Sequence, residues 1–517
     1  MRLFLCGREK LRMNCLSPSL RSRACFLLAI FALLMVTCEI TAATDEPQVN
    51  RKNVLFIAVD DLRPELGCYG AEHAQSPNID ALAKRSLTFR NHFVQVPTCG
   101  ASRYALLTGR SPLFSGAFKN QSLYEGSTEL SSVELPGAQT FPEMFRRSGY
   151  QTVCIGKISH TPDGRVYGHR GNGDGRMEVP YGWSELATPM GSWKRGWGIF
   201  YAYANGKNRE DGDLKDLMQF EVEEDDELPD GLMATAAIEK LKQLKQSGKP
   251  FFLGLGFFKP HLPFVAPRQD WEAFDGLDLP LPPHRDKSSS AYTNHRSDEF
   301  FKYDFPYDKT RPLDDEKITT NRRAYLACVR YTDRQIGRVL ESLKDQGLSD
   351  STVVVLWSDH GWNLGDSQQW GKHTLLDRAV KSPLMISVPG MSTAGQYSDS
   401  LVESIDLFPT LVDICNPSHA KAEKRLDGKS LLPILSDPMA SVREASFSYW
   451  KGSVSVRSKS FRLIAKFNGA KKPENLELEK IELYSAGQQF DPIKNLAAEY
   501  PDVVELLTAK FQVESAR

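Results

Sequence analysis

The chain has 517 residues, of which 41% are apolar and 25% are charged. This is an ordinary globular composition, which excludes a disordered chain, a collagen and a coiled coil. The 64 Lys and Arg residues nearly balance the 65 Asp and Glu residues, for a formal net charge of −1, so we expect no nucleic-acid partner, which would require a basic face.

The first 43 residues have a composition of their own. They contain six basic and two acidic side chains, an apolar run at residues 24–36 and the small residues Thr41, Ala42 and Ala43. This order of basic, apolar and small residues is typical of a signal peptide. The alternative, a membrane anchor, is disfavoured because the run is shorter than the roughly 20 residues that span a bilayer. We therefore predict a leader at residues 1–43, no stable membrane insertion after its removal, and a secreted or periplasmic mature protein.

Four of the nine cysteines belong to this leader. The five that remain are too few in so long a chain to form a disulfide scaffold. Three of them have apolar neighbours and are predicted to be core residues: Cys154, Cys328 and Cys415.

Short apolar runs alternate with helical patterns through the first three quarters of the chain. The run at residues 53–59 lacks a two-residue alternation, as expected of a strand that is buried on both faces. Strands that alternate with helices predict an α/β fold, with a mostly parallel central sheet and helices on both faces. Further strands are predicted at residues 151–155, 251–257, 353–358 and 384–388. Capping residues and apolar spacing near 3.6 predict helices at residues 78–85, 140–148, 232–245 and 323–346.

The pattern changes after residue 428. Short antiparallel strands are predicted at residues 446–449, 453–458, 462–467 and 481–484, and a last helix at 498–511. We therefore predict a large α/β domain at residues 44–435 and a small C-terminal α+β subdomain with an antiparallel sheet at residues 436–517. Two polar stretches, residues 167–212 and 280–311, are predicted to be long surface loops that could frame a pocket. The acidic run at residues 221–227 is interpreted as a solvated loop or, alternatively, as a second ion site.

Acidic residues follow two of the predicted strands directly. Asp60 and Asp61 follow the first strand, and Asp359 and His360 follow the strand at residues 353–358. In open α/β sheets, ligands bind at the carboxyl ends of the strands. Three carboxylates there would repel one another unless a cation lay among them, and oxygen ligands suit a hard divalent ion such as Ca²⁺ or Mg²⁺. The alternative is that each Asp caps a helix after its strand.

The most specific segment runs from Cys99 to Gly109. A cysteine before a helix start places its thiol near backbone N–H donors, and Arg103 lies one turn further on. We therefore expect a lowered thiol pKa and a place for an anion. On these residues alone, Cys99 is either a plain thiol nucleophile or a buried structural residue.

The order Cys-x-Ala-Ser-Arg, followed by Leu-Thr-Gly-Arg, resembles the signature of the type I sulfatases, which depend on formylglycine. The segments that begin at Gly156, Lys259 and Ser358 fit the same family. Residues 60–70, 76–80 and 251–264 are most similar to the iduronate-2-sulfatase branch. The resemblance covers residues 53–435 and, weakly, 482–484, in many separate motifs.

This resemblance implies an alkaline-phosphatase-like fold and a sulfuric ester hydrolase that acts on sulfated oligo- or polysaccharides, with a 2-O-sulfated uronate as the expected substrate. Cys99 would be oxidised to formylglycine (3-oxoalanine) by a formylglycine-generating or a radical-type maturating enzyme. In this chain Ala101 stands where the commonest signature has Pro, which puts the efficiency of that conversion in question. The hydrate of the aldehyde carries two hydroxyls, one of which attacks sulfur.

The family roles map onto particular residues of this sequence. One Ca²⁺ per chain would be held by Asp60, Asp61, the converted Cys99, Asp359 and His360, where most sulfatases have Asn in place of His360. Arg103, Lys157 and Lys372 would neutralise sulfate oxygens and the formylglycine environment. His261 would protonate the leaving sugar oxygen. His160 would take the proton from the second hydroxyl.

Two other functions remain open at this point. The first is a phosphate or phosphonate monoester hydrolase of the same superfamily, and the second is a non-catalytic protein that binds sulfated glycans with Cys99 unconverted. Individual residues also have plainer interpretations: Lys157 and Lys259 as solvated lysines, Trp362 as a sugar-facing wall or as core, and His373 as a substrate contact or not. No role is assigned to His73, His92, His169, His284, His295 or His419.

Overall fold

A computed structural model describes residues 51–169, 172–212, 214–284, 290–292, 299–470, 472–486 and 494–517. The leader predicted at residues 1–43 lies outside these described residues. Among the described helices, none is long and apolar enough to cross a bilayer.

The described strands are β1 (Asn53–Val59), β2 (Leu87–Phe93), β3 (Gln151–Gly156), β4 (Glu185–Leu186), β5 (Met218–Gln219), β6 (Phe251–Phe257), β7 (Phe264–Val265), β8 (Thr352–Ser358), β9 (Asn363–Leu364), β10 (Trp370–Gly371), β11 (Leu384–Ser387), β12 (Tyr397–Glu403), β13 (Ser446–Trp450), β14 (Ser453–Arg457), β15 (Phe461–Phe467) and β16 (Leu478–Ser485). The α-helices are α1 (Pro77–Ala83), α2 (Cys99–Thr108), α3 (Pro112–Ser115), α4 (Phe141–Arg147), α5 (Trp197–Phe200), α6 (Pro229–Ser247), α7 (Arg268–Glu272), α8 (Asp315–Asp345), α9 (Asp377–Val380), α10 (Leu407–Cys415), α11 (Leu432–Ser436) and α12 (Pro501–Ser515).

Eight strands form the central sheet, in the order β12-β2-β11-β8-β1-β6-β3-β4. Strand β11 runs antiparallel to both of its neighbours, whereas the other pairs in the sheet are parallel. Strands β13 to β16 form a separate antiparallel sheet. The predicted fold class, with a mostly parallel central sheet and a C-terminal antiparallel sheet, is therefore confirmed.

The central sheet is covered on both faces, and β1 illustrates why. Its alternate residues Leu55, Ile57 and Val59 belong to the apolar cluster that includes residues of α6 and α8. The side chains between them belong to a second cluster, which includes residues of α2, α4 and α10. Because helices cover both faces of this strand, the side chains on both faces are buried and apolar, which explains its continuous apolar run.

Most predicted elements are found within a few residues of their expected bounds, but some differ. Helix α8 begins at Asp315, eight residues before the predicted start, because Asp314 caps it by accepting a hydrogen bond from the Lys317 N–H at 2.9 Å. Strands β2 and β12 were not predicted. Each carries exposed polar side chains, such as Arg90 in β2 and Asp399 in β12, and so lacks a continuous apolar run.

The acidic run at residues 221–227 is held by arginines of α8. Asp225 pairs with Arg334 at 2.5 Å, and Asp226 pairs with Arg338 at 2.9 Å. These ion pairs account for both carboxylates without a second ion. The division of the chain at residues 435 and 436 stays a prediction.

Candidate active site

The carboxyl ends of β1 and β8 bring the predicted carboxylates together. The two strands are parallel neighbours, and Val59 is paired with Ser358 in their register. The residues that follow this pair, Asp60 and Asp359, therefore lie at the same edge of the sheet. The Asp61 N–H donates to Asp359 Oδ1 at 3.1 Å. Asp60, Asp61, Asp359 and His360 are all fully buried.

Cys99 is the first residue of α2 and lies against this group. Its Sγ is 3.3 Å from His360 Nε2 and 3.2 Å from Lys372 Nζ. The helix start also packs closely on Asn120, whose Oδ1 accepts a hydrogen bond from the Gly100 N–H at 2.9 Å. A Cβ at Gly100 would lie 2.0 Å from the Asn120 carbonyl oxygen, so only glycine fits there.

These residues fit a bound cation. One ligand atom each from Asp60, Cys99, Asp359 and His360 lies within 4.8 Å of the others. His360 donates from Nδ1 to its neighbour's carbonyl, Gly361 O, at 3.0 Å, which leaves the Nε2 lone pair facing the cluster. Asp61 belongs to a second such group, with Cys99 and His261, and the three carboxylates together suit a hard divalent ion.

The two neighbouring aspartates have opposite electrostatic surroundings. Burial raises the pKa of Asp61 well above its ordinary value, although Lys372 acts in the other direction. Burial also opposes the ionisation of Asp60, but Lys157, His261 and Arg103 outweigh it and hold the pKa of that carboxyl well below its ordinary value. Asp61 Oδ2 is buried without a hydrogen-bond partner among the described side chains. An oxygen in this condition is a further reason to expect a cation at the cluster.

The expectation of a lowered thiol pKa at Cys99 is wrong. Burial raises the pKa of the thiol to about 12, and Asp60 adds to the effect. The helix start is therefore outweighed by desolvation and by the neighbouring carboxylate. A thiol with this pKa is protonated at neutral pH, which disfavours the interpretation of Cys99 as a plain thiol nucleophile.

Arg103 lies one turn along α2 and is fully buried beneath the cluster. Its Nε donates to Asp359 Oδ2 at 3.1 Å, and its Nη2 donates to Asp60 Oδ1 at 3.4 Å. Its Nη1 donates to the carbonyl oxygens of Lys157 and Ile158. The guanidinium thus connects the ends of β1 and β8 with the segment after β3. Its described hydrogen bonds are all made to protein atoms, and it does not line the cavity.

Lys157 and His160 lie in the segment after β3. Lys157 Nζ is 2.5 Å from Asp60 Oδ2, and the side chain is 1% exposed, so Lys157 is not a solvated lysine. Burial and Lys157 lower the pKa of His160 well below its ordinary value. The backbone of this segment is held by the buried Glu178, which accepts from the His160 N–H at 3.0 Å and from the Thr161 N–H at 2.6 Å.

His261 and Lys372 approach Cys99 from the other side. His261 Nδ1 donates to the Leu262 carbonyl at 2.6 Å, and burial together with Lys372 lowers the pKa of the imidazole to about 4. Lys372 Nζ is 3.0 Å from Asp61 Oδ1. Glu299 completes this side, because its carboxylate lies 3.3 Å from His261 Nε2 and 3.5 Å from Lys372 Nζ.

A cavity of about 590 Å³ opens over Cys99. Cys99, Lys157, His160, His261 and Lys372 line it, whereas the predicted metal-binding aspartates, His360 and Arg103 are not among its lining residues. Basic and aromatic side chains lie side by side in its wall, with Lys157 Nζ 4.2 Å from the centre of the Phe200 ring. The predicted metal-binding aspartates and His360 therefore lie beneath Cys99, and the predicted catalytic side chains other than Arg103 line the open space.

The outer wall of the cavity was only partly predicted. The loop at residues 167–212 contributes His169, Trp197 and Tyr201, with the rings of His169 and Trp197 stacked at 4.9 Å. His169 received no role from the sequence, because a single exposed histidine gives no signal of its neighbours. His373 also lines the cavity, whereas Trp362 is buried and does not.

Two further residues had no signal in the sequence. Glu178 and Glu299 come from irregular segments, where no periodicity indicates which way a side chain points. Lys259 is buried below the site and donates to the carbonyl oxygens of His261 and Pro263, so it is not a solvated lysine either.

Comparisons with known proteins agree with one another. A family model described as Sulfatase matches residues 52–416, and one described as N-sulphoglucosamine sulphohydrolase, C-terminal, matches residues 365–500. The chain is 32% identical to iduronate 2-sulfatase of Homo sapiens over 451 residues, which cover 77% of each protein. It is 30% identical to a sulfatase of Formosa agariphila, with 78% of each protein covered.

Solved structures match the fold. The phosphonate monoester hydrolase of Agrobacterium radiobacter superposes with a TM-score of 0.70 over 90% of this chain and 96% of that protein, at 21% identity. This superposition supports the alkaline-phosphatase-like architecture. Sequence identity at this level carries no argument about the substrate.

Proposed function

Because this chain belongs to the sulfatase family and is therefore a sulfuric ester hydrolase, we propose that it removes sulfate from sulfated saccharides, with a 2-O-sulfated uronate as the first candidate substrate. The iduronate 2-sulfatases of mouse and human, each 32% identical to this chain over most of its length, motivate the choice of sugar. The leader-like composition of residues 1–43 motivates the accompanying proposal that the protein is exported.

One observation carries the proposal: Cys99 lies at the floor of a cavity that also presents the ammonium groups of Lys157 and Lys372. A sulfate ester carries its charge on oxygens that such groups can pair with. The same floor is too buried and too close to Asp60 for an efficient thiolate, since the thiol pKa is about 12. This favours a converted side chain over a cysteine nucleophile.

We further propose that Cys99 is converted to formylglycine by a maturating enzyme, and that Asp60, Asp61, Asp359 and His360 hold one Ca²⁺. When present, the hydrated aldehyde supplies two hydroxyls and the ion supplies positive charge beside them. The support for the ion is the group of three buried aspartates and the Oδ2 of Asp61, which accepts no hydrogen bond from a described residue.

The remaining residues would bind and move protons. Lys157 and Lys372 would pair with sulfate oxygens, since both line the cavity and both lie within 3.0 Å of a cluster carboxylate. His261 would protonate the leaving oxygen from Nε2 as an imidazolium, because its Nδ1–H is committed to the Leu262 carbonyl and the Glu299 carboxylate, 3.3 Å from Nε2, favours the charged form. His160, which also lines the cavity, would accept a proton from the second hydroxyl. Arg103 would hold Asp60 and Asp359 in place.

The test is sulfate release by protein produced together with a formylglycine-generating or radical-type maturating enzyme. The substrates are defined 2-O-sulfated uronate oligosaccharides, other sulfated sugars, and an aryl sulfate beside the matching aryl phosphate. We expect sulfate release, with preference for sulfate over phosphate, and mass spectrometry of the Cys99 peptide should show the aldehyde.

Two variants of the same residue serve as controls. Cys99→Ser keeps a single hydroxyl, which cannot expel sulfate internally, and Cys99→Ala keeps none. Unchanged turnover in either variant would refute the mechanism. Faster turnover of the phosphate would favour the phosphoryl hydrolase, and an unmodified thiol in protein from its native source would favour the non-catalytic glycan-binding protein.

A further inference from the structure

The C-terminal sheet reaches the candidate active site through Trp450. This residue ends β13 and is partly buried. Its ring stacks on that of His373, with the ring centroids 4.7 Å apart and the planes 3° from parallel. His373 lines the cavity and directly follows Lys372 in the chain.

The position of Trp450 is fixed by the two residues before it. Ser448 Oγ donates to the Val94 carbonyl at 2.6 Å, and the Tyr449 N–H donates to the Gln95 carbonyl at 2.7 Å. Residues 94 and 95 lie between β2 and the helix that begins at Cys99. Strand β13 is therefore tied to the chain segment that leads to Cys99.

His373 is also bonded to the start of that helix. Thr98, the N-cap residue of α2, uses its hydroxyl hydrogen to donate to Asn120 Oδ1 at 3.0 Å. Its oxygen is therefore the acceptor for His373 Nε2, which lies 3.3 Å away. His373 thus connects the cap of the Cys99 helix with the indole of Trp450.

The backbone around Lys372 needs such support. Gly371 has a φ of 92° and His373 has a φ of 73°, so left-handed residues lie on both sides of the lysine. Glycine adopts this conformation freely, but histidine does so only where its surroundings hold it. The turn directs Lys372 Nζ to within 3.0 Å of Asp61 Oδ1 and 3.2 Å of Cys99 Sγ.

We propose that Trp450 is a positioning residue of the active site: by holding the His373 ring, it fixes the turn that presents Lys372 to Cys99. This inference rests on the role of Lys372 in the proposed function. It makes the C-terminal sheet a working part of the catalytic centre, although none of its strands lines the cavity among the described residues.

The experiment compares variants of Trp450 in the full-length, exported protein with Cys99 converted, on a 2-O-sulfated uronate disaccharide. In Trp450→Ala, kcat is expected to fall on the order of tenfold to hundredfold, as a displacement of about 1 Å at a catalytic group does, with KM changed less than threefold. Trp450→Phe retains a ring for the stack and is expected to keep kcat within threefold of the wild type. Trp450→Leu, which fills part of the volume without a ring, replaces Trp450→Ala if that variant fails to fold.

Phe461→Ala is the matched control, because Phe461 is a partly buried aromatic of the same sheet that packs against Tyr500 and not against His373. It should lower the unfolding temperature and leave the kcat of the folded enzyme unchanged. Equal kcat in Trp450→Ala and the wild type would overturn the inference, and so would an equal loss of kcat in Trp450→Ala and Phe461→Ala. A wild-type enzyme without turnover would instead overturn the proposed function, and this inference with it.

Discussion

Arg103 offers the sharpest test of how the site is held together. Its guanidinium donates to Asp359, Asp60 and two backbone carbonyls at once, in a fully buried position. A lysine keeps the charge but has a single compact ammonium, which cannot reach all four acceptors. Arg103→Lys therefore tests the geometry of the fork and not the presence of a positive charge.

The size of the effect follows from the acceptors that lose their donor. At least two buried oxygens would be left unsatisfied, at about 1–3 kcal/mol each, so we expect a loss of roughly 2–6 kcal/mol. This is a large part of the 5–15 kcal/mol that typically separates folded from unfolded protein. Displacement of Asp60 and Asp359 should also reduce turnover on the order of a hundredfold.

The assay combines thermal unfolding at fixed calcium concentration with sulfate release by the converted enzyme. Arg443→Lys is the matched control, because Arg443 is another buried arginine that bridges two carboxylates, Glu403 and Asp406, away from the cavity. It should lose comparable stability and keep its turnover when folded. Wild-type stability and turnover in Arg103→Lys would refute the reasoning, and a raised KM with unchanged stability would indicate that Arg103 contacts sulfate instead.

Three other predictions follow from buried groups. Glu178→Gln turns an amide NH₂ toward the backbone N–H of either His160 or Thr161, so we expect the free energy of unfolding to fall by about 1–3 kcal/mol. Steady-state kinetics should show a lower kcat at similar KM, and an unchanged kcat would contradict this. Burial lowers the pKa of His92 from 6.5 in the unfolded chain to about 4 in the folded protein. The neutral imidazole therefore adds roughly 3 kcal/mol to the free energy of unfolding above pH 6.5, and this stability is lost as the pH falls from 6.5 through about 4. Urea unfolding of His92→Gln should lack this component, and the same pH dependence in variant and wild type would disprove its origin. Gly100→Ala should lower the unfolding temperature and turnover together, because the new methyl group meets the backbone opposite; a variant as stable and active as the wild type would show that the helix start can shift freely.

The parts of the site that the sequence predicted are those that follow from strand ends. Asp60 and Asp359 each follow a continuous apolar run, and the carboxyl ends of parallel strands meet at one edge of a sheet. The sequence does not state that these two strands are neighbours in the sheet. The prediction that their aspartates share one cation, however, already requires the two strand ends to lie close together. The strands β2 and β12 were missed because the polar residues that they carry break the apolar pattern.

Other parts depend on tertiary contacts that no local pattern reports. The position of Cys99 before a helix suggested a low thiol pKa, yet burial and Asp60 reverse the direction. Glu299 approaches His261 and Lys372 from an irregular loop, and its distance from them is set by packing between elements that are far apart in sequence. The stack of Trp450 on His373 joins residues 77 positions apart, in elements whose own patterns are unremarkable.

The formal net charge of −1 for the whole chain conceals a local balance at the site. Asp60 pairs with Lys157 and Arg103, Arg103 also pairs with Asp359, and Asp61 pairs with Lys372. These three acidic and three basic side chains cancel formally, and Glu299, which also pairs with Lys372, leaves a formal excess of one negative charge.

A site with this formal charge has no positive charge left over to attract an anion. A divalent ion among the carboxylates would add the missing positive charge and leave Lys157 and Lys372 free to pair with sulfate. We therefore expect chelation of divalent ions to lower the unfolding temperature and to weaken the binding of inorganic sulfate by at least tenfold, or about 1.4 kcal/mol. Titration calorimetry at constant ionic strength, before and after calcium is restored, measures this difference. Equal sulfate affinity in both states would mean that the lysines alone provide the attraction, and that the carboxylates serve only to hold them in place.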